Sequence, residues 1–268
     1  MWQDELIARI TGGLSHDSDL VALFVGGSIG RGDSDQFSDI DLIAVVPAGK
    51  SGPFLERWKE LIASLEPVVF QMQFGESEVI CNMVTELWHR IDVVVTDQEG
   101  IMRRPQDGLK PLIDPSEIYR TLLMTIAWQG PDKGRVTYFI NEFIRVFGLL
   151  PVALGREEYL LGVMGYGLLR DLLSGLLKEE VERADKGGML HWKTTYSAEQ
   201  LAVLESLPVV APDRASIIAG NLAIATAFFP RARKMAGRLG IEWPEAFEAA
   251  AWSHLEREAG VKKPEAYR

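Results

Sequence analysis

The stretch Gly26–Val46, GGSIGRGDSDQFSDIDLIAVV, decides how the front of this 268-residue chain folds. It follows an apolar run, Leu20–Val25, that reads as a strand. Gly26, Gly27 and Ser28 break that strand with a turn, and a polar loop carries the chain to Ser38. Asp39-Ile40-Asp41 then opens a second apolar strand, Ile40–Val46. Side chains two apart on a strand leave the same face. Asp39 and Asp41 therefore point one way, while Ile40 and Leu42 point into a core. Their carboxylates stand about 6–7 Å apart along the strand, a spacing that divalent ions can bridge. Glycine lets backbone N–H groups approach phosphate oxygens closely, and Ser28 adds a hydroxyl donor. A Gly-rich turn alone is commonly just a turn, and a strand-end aspartate commonly a cap. Their combination at this spacing, with Arg31 in the loop, reads as a site for a nucleotide polyphosphate and metal ions.

Outward from this segment the pattern alternates helix and strand. Asp4–Thr11 places Leu6, Ile7 and Ile10 at helical spacing. Pro53 opens an amphipathic helix carrying Phe54, Leu55, Trp58, Leu61, Ile62 and Leu65. Val68–Phe74, Glu78–Val84 and His89–Val95 read as strands. The order predicts a mixed sheet covered by helices on one face. Within His89–Val95, Asp92 interrupts an otherwise apolar run, and a carboxylate there is costly unless paired or coordinated. Solvent exposure on an edge strand is the alternative. His89 and Arg90 are either exposed to solvent, the reading their type favours, or within reach of a phosphate, and Asp97 reads as a turn cap.

The segment from Arg103 to Pro115 is rich in Pro and Gly and marks a domain boundary near residue 110. Beyond it the spacing is helical: a helix from Ser116 through Ile126, then Val136–Leu150, Arg156–Glu182, Ala198–Leu207, Asp213–Leu239 and Pro244–Glu258. Such recurrence predicts a bundle. The fold class expected is α+β, with a sheet domain at 1–110 and a helical domain at 111–268. Tyr138, Asn141, Glu142 and Arg145 share adjoining faces of one helix, where Glu142 either serves as a base or pairs with Arg145. Trp192 and Lys193 lie in a Gly187–Tyr196 loop, where both line a mouth at which an aromatic ring meets nucleotide or acceptor, or where Lys193 instead neutralises a triphosphate.

Composition narrows the class. The chain is 47% hydrophobic, as a globular protein is, and its formal charge of −10 argues against a nucleic-acid partner. Cys81 is the sole cysteine, which excludes an internal disulfide and suits a reducing cytoplasm. No signal peptide is legible, and the apolar stretch near Ile217–Phe229 is broken by Gly220 and Asn221, short of a membrane span.

The order Gly27-Ser28, basic residue, Phe37-Ser38-Asp39-Ile40-Asp41 resembles the signature of the polymerase-β-like nucleotidyltransferase superfamily. Within it the segment is most similar to the small antibiotic nucleotidyltransferases of the kanamycin and lincosamide types. The motif-level match covers about the first hundred residues. The resemblance implies Mg²⁺, two ions, and an NTP, ATP by preference, as co-substrate. It implies that Asp39, Asp41 and Asp92 hold the metal, with Asp92 or Glu142 as general base. Gly27, Ser28, Arg31, Ser38 and Lys193 would then contact the nucleotide. A helical half that binds a small hydroxylated acceptor, and a monomer or homodimer, follow from the same likeness. Two other readings differ in class: modification of a protein partner, as toxin-directed nucleotidyltransferases do, and a nucleotide-binding sensor without chemistry.

Overall fold

A computed structural model describes residues 1–76, 78–186 and 192–264. It forms two compact units, Met1–Ile126 and Ala127–Arg268.

In the N-terminal unit the apolar periodicities resolve as expected. Helix α1 (Trp2–Leu14) buries Leu6, Ile7, Ile10 and Leu14, and α3 (Ser51–Leu65) buries Phe54, Leu55, Trp58 and Ile62. Between them stand β1 (Ala22–Val25), a one-turn helix α2 (Gly27–Arg31) and β2 (Ile40–Val45). After α3 come β3 (Val68–Phe74), β4 (Val79–Thr85) and β5 (Arg90–Thr96). Then follow α4 (Gln98–Ile101), β6 (Lys110–Ile113) and α5 (Ile118–Thr121). Asp97 caps α4, its carboxylate accepting from the Gly100 N–H. The six strands run in the order β3-β4-β5-β2-β1-β6. Every neighbouring pair is antiparallel except β2 with β5. The sheet is thus mixed, as expected.

Its two faces differ. Leu23, Val25, Ile40, Leu42, Ile91 and Val93 pack against α1 and α3 in the main core of this unit. On the opposite face Phe24, Ile43 and Val45 pack with Ile101, Leu109, Ile118 and Leu122. That second cluster covers the far ends of β2 and β5. Asp41 and Asp92 share its face, two positions before Ile43 and Val94.

Three expectations change. The boundary falls at 126/127 rather than near 110, because Lys110–Ile113 is a sheet strand paired with β1. The helix expected over Ser116–Ile126 shrinks to α5. Leu122 turns into the second cluster, and the carbonyls of Leu123 and Met124 accept from the Gln106 and Asp107 N–H groups instead of continuing a helix. Finally, Gly27-Ser28 is the start of α2 rather than an open turn. A Cβ on Gly30 would sit 2.2 Å from the Gly108 carbonyl oxygen, so only glycine lets this turn lie so close.

The C-terminal unit is a bundle of α6 (Lys133–Phe147), α7 (Leu150–Gly155), α8 (Tyr159–Glu180), α9 (Trp192–Thr195), α10 (Ala198–Glu205), α11 (Arg214–Leu239) and α12 (Glu245–Ala259). Phe143, Phe147, Phe228, Phe229 and Trp252 form its aromatic centre, with Phe143 stacked on Phe228 at 3.7 Å. By length and mean hydropathy, Lys133–Gly155, Tyr159–Glu180 and Arg214–Leu239 are long and apolar enough to cross a membrane, against the expectation from the broken run near Gly220. In the bundle they pack part of their apolar surface on one another, with half or less of each stretch buried.

Glu248 ties this unit together. Its carboxylate is 2% exposed and accepts from Trp243 Nε1 (2.8 Å), Trp252 Nε1 (3.2 Å), Lys263 Nζ (2.9 Å) and the Arg233 guanidinium. Burial alone would raise its pKa, but these donors and the two cations outweigh burial and hold it below the usual range. Glu248→Ala takes this buried acceptor from two indole N–H groups and from the partly exposed Arg233 and Lys263, so it is expected to destabilise the bundle by about 2 kcal/mol. Urea unfolding followed by Trp fluorescence checks this, with Glu248→Gln expected to fall between.

Candidate active site

The parallel pairing of β2 with β5 places Asp41 directly opposite Asp92. Asp39 precedes β2 by one residue and leaves the same face as Asp41. One carboxylate oxygen from each of Asp39, Asp41 and Asp92 lies within 4.8 Å of the others. The alternation of Ile40 and Leu42 on β2, and of Ile91 and Val93 on β5, into the core, all at most 1% exposed, is what turns the three acids outward together.

Packing like charges on a half-buried face has an electrostatic signature. Asp41 is pushed up to about 6, by burial first, then by Asp39 and Asp92, with Arg31 and Arg90 opposing the rise. Asp92 is also raised, by burial above all, while a hydrogen bond from Asn82 and the Arg90 charge hold it back. Two residues outside the expected ligand set therefore belong to the site. Asn82 pairs in register with Asp92 from β4. Arg90 places its guanidinium 3.5 Å from an Asp39 oxygen and donates to the Phe37 carbonyl at 3.0 Å. The sequence does carry a signal for Asn82, the one polar residue amid Val79–Val84 apart from the cysteine. His89, by contrast, stacks on Trp2 and pairs with Glu66.

The glycine–serine segment stands directly against the carboxylates. The Gly26 N–H donates to the Asp41 carbonyl at 2.8 Å, extending the β1–β2 ladder to the site. Gly27 has φ +56°, and a Cβ there would lie 1.8 Å from Asp41 Oδ2. Both facts demand glycine. Ser28 follows, 3% exposed, and its Oγ is buried with no hydrogen-bond partner among the described residues. Buried hydroxyls are rarely left so, and one beside an acidic cluster has the chemistry of a donor awaiting a ligand. Ser28→Ala is expected to leave stability unchanged or raise it by about 1 kcal/mol. Nucleotide affinity should fall about tenfold or more, as for a hydrogen bond to a charged group. Thermal unfolding and nucleotide titration on the same variant separate the two effects.

The remaining expected residues are placed as follows. Arg31 ends α2 and pairs with Asp33 at 3.4 Å while its charge acts on Asp41. Ser38 is 4% exposed, and its hydroxyl is joined to Asp35, accepting from the Asp35 N–H at 3.0 Å and lying 3.1 Å from Oδ1. Its carbonyl accepts from Gln3. Ser38 thus shapes the loop that delivers Asp39. Glu142 and Lys193 belong to the C-terminal unit. Glu142 is held by Arg145 through two short hydrogen bonds, of 2.7 and 2.6 Å, which keep its carboxyl below the usual range. Lys193 is exposed on α9, and the rest of its expected loop, 187–191, lies outside the described residues.

A mixed sheet that sets three carboxylates against a glycine–serine turn defines a domain built for phosphoryl-group chemistry. Residues 7–96 match the family model described as nucleotidyltransferase domain. The N-terminal unit is accordingly a nucleotidyltransferase domain of the polymerase-β-like superfamily, and the chain is a nucleotidyltransferase. No curated protein sequence matches it significantly. Among solved structures it is similar to an aminoglycoside 6-adenyltransferase from Bacillus subtilis, with 13% identity and a TM-score of 0.44, covering 95% of this chain and 97% of that one. It is also similar to a Thermotoga maritima CCA-adding enzyme complexed with tRNA, at 14% identity and a TM-score of 0.37 over 96% and 70% of the two chains. A nucleotidyltransferase-like protein from Exiguobacterium sibiricum shares 12% identity at a TM-score of 0.38, over 95% and 88%. Likenesses this distant carry nothing about substrate.

Proposed function

We propose that the chain moves a nucleoside monophosphate, AMP by preference, from Mg·NTP to a hydroxyl of a small molecule, with release of pyrophosphate. The observation that carries this reading is the convergence of Asp39, Asp41 and Asp92 within 4.8 Å beside Gly27 and Ser28. The residues present fit a divalent metal: three hard oxygen ligands meet on one face, where burial first and then the charges of Asp39 and Asp92 lift Asp41, and a cation offsets both. They fit a polyphosphate equally, because the Ser28 hydroxyl lacks a partner and the missing Gly27 Cβ leaves space at Asp41.

Asp39, Asp41 and Asp92 would hold the metal, one ion or two. When bound, it supplies positive charge against the phosphate oxygens as charge develops in transfer. Ser28 Oγ and the first N–H groups of α2, which lack intrahelical acceptors, would donate to the β- and γ-phosphates, with Arg31 adding charge. The acceptor oxygen bonds to the α-phosphorus as the bond to pyrophosphate breaks. The acceptor proton passes to a carboxylate, and Asp92, with its raised pKa, is the better base. Glu142 is the weaker candidate because Arg145 occupies both its oxygens. Lys193 stays a proposed triphosphate contact, and the helical unit the proposed acceptor-binding half.

Aminoglycosides and lincosamides are the acceptors to try first, with antibiotic resistance in a cytoplasmic setting as the purpose. The test is pyrophosphate release with Mg²⁺ and each of the four NTPs across such a panel, with mass spectrometry of the acceptors. One acceptor gaining a single nucleotide mass establishes base and substrate class together. Nucleotide binding without release on any small hydroxyl compound refutes the small-molecule acceptor.

A further inference from the structure

The two edges of the sheet are finished differently. At one edge β6 is four residues long and carries Lys110 and Pro111, features that discourage another strand from pairing there. At the other edge β3 has none of these protections. It is seven residues long, VVFQMQF, without a charge or a proline. Val69, Phe70, Met72 and Phe74 are 46–57% exposed, and Gln71 and Gln73 are exposed as well. Its one irregularity against β4 lies between Val68 and Phe70, so Phe70–Phe74 is a regular strand with one side bonded to β4 and the other pairing with no strand among the described residues. An uncharged edge of this length, regular in register and apolar on one face, is a template for a further strand.

The sequence of that regular part also says which strand fits. Phe70-Gln71-Met72-Gln73-Phe74 is a palindrome. When two copies of a strand pair antiparallel about a two-fold axis through Met72, Phe70 faces Phe74 of the other copy, Gln71 faces Gln73, and Met72 faces itself. Aromatic side chains meet aromatic side chains on one face, and amides meet amides on the other, both favourable cross-strand pairs. Such self-complementarity is what an isologous interface requires.

We propose that β3 is a dimerisation edge, pairing antiparallel with β3 of a second copy of this chain about Met72 to make one twelve-stranded sheet. The inference does not depend on the catalytic reading, but it bears on it. Met72 lies in one register row with Asn82, Asp92 and Asp41. A two-fold axis perpendicular to the joined sheet keeps both acidic sites on the same face. Five strand spacings then separate the two Asp92 positions, about 24 Å.

Light scattering on size-exclusion chromatography of the full chain tests this, together with two cysteine variants made in a Cys81→Ala background. The expected wild-type mass is twice the 29.8 kDa of one chain. Met72→Lys opposes two like charges at the axis and should raise the dissociation constant about 100-fold or more, with an unchanged circular dichroism spectrum. Met72→Cys should form a disulfide-linked dimer under mild oxidation, since directly opposed residues have Cα atoms about 4.5–5.5 Å apart. Gln73→Cys, opposite Gln71 and not itself, should cross-link far less. A single-chain mass at about 100 μM, a dimer indifferent to Met72→Lys, or Gln73→Cys cross-linking as readily as Met72→Cys would overturn the proposal. If Met72→Lys fails to fold, the two cysteine variants still decide.

Discussion

Asp41→Asn is expected to reduce nucleotidyl transfer by about 10³-fold and, in the same protein, to raise the thermal midpoint of the metal-free N-terminal unit at pH 8. The loss follows from removing a charged oxygen ligand while keeping volume; a thousandfold corresponds to about 4 kcal/mol of transition-state stabilisation. The gain follows from linkage. Asp41 titrates at about 6 when folded, against about 3.9 for an aspartate in an unfolded chain. The folded state therefore holds its proton more tightly than the unfolded chain between about pH 4 and 6, and stability falls as pH rises through that window. Above it, ionised Asp41 costs up to about 3 kcal/mol, which asparagine does not incur. That amounts to several degrees in the melting of this unit. Scans with EDTA at pH 8 and pH 4 check the sign: the difference should be present at pH 8 and vanish at pH 4. Added Mg²⁺ should stabilise the wild type and leave Asp41→Asn unmoved.

Gly27→Ala should be nearly as damaging, for steric reasons alone. At φ +56° an alanine is strained by about 1–2 kcal/mol. Its methyl group would also stand 1.8 Å from Asp41 Oδ2 and 2.8 Å from Cγ, so the carboxylate must leave its place. A shift of about 1 Å in a catalytic group costs on the order of 10²-fold in rate, and transfer should fall by at least that much. Gly12→Ala is the control: it lies within α1, and a Cβ there meets nothing within 4 Å. It should be neutral or slightly stabilising, by up to about 1 kcal/mol. Steady-state rates and melting curves for the two variants should diverge sharply.

The legible parts of this protein are those whose signal is local. Alternation around Ile40 and Leu42 is enough to place Asp39 and Asp41 on one face, and the apolar run around Asp92 marks it as needing a partner. That the partner is Asp41 depends on β2 and β5 lying side by side in parallel, although Ser51–Thr85 intervenes, and nothing in either segment encodes that pairing alone. Arg90 and Asn82 are hard to see as site residues for the same reason, since each acts on an acid brought beside it by strand register. Strand β6 is hidden because its four residues include a lysine and a proline, the features that make it a protected edge. The helical turn at Gly27–Arg31 is hidden because five residues are too few to show a period; it exists because Gly30 fits against Gly108. Ser38 reads as a ligand donor on chemistry alone, whereas its hydroxyl is joined to Asp35 three residues before it.

We propose Asp39, Asp41 and Asp92 as a metal centre for a nucleoside triphosphate. Isothermal titration of ATP into the protein, with Mg²⁺ and then with EDTA, beside Asp39→Asn under both conditions, tests it without needing the acceptor. Saturable binding by the wild type in Mg²⁺ is expected, weakening at least tenfold in EDTA, with comparable weakness for Asp39→Asn in Mg²⁺. Equal affinity in all four experiments would contradict it.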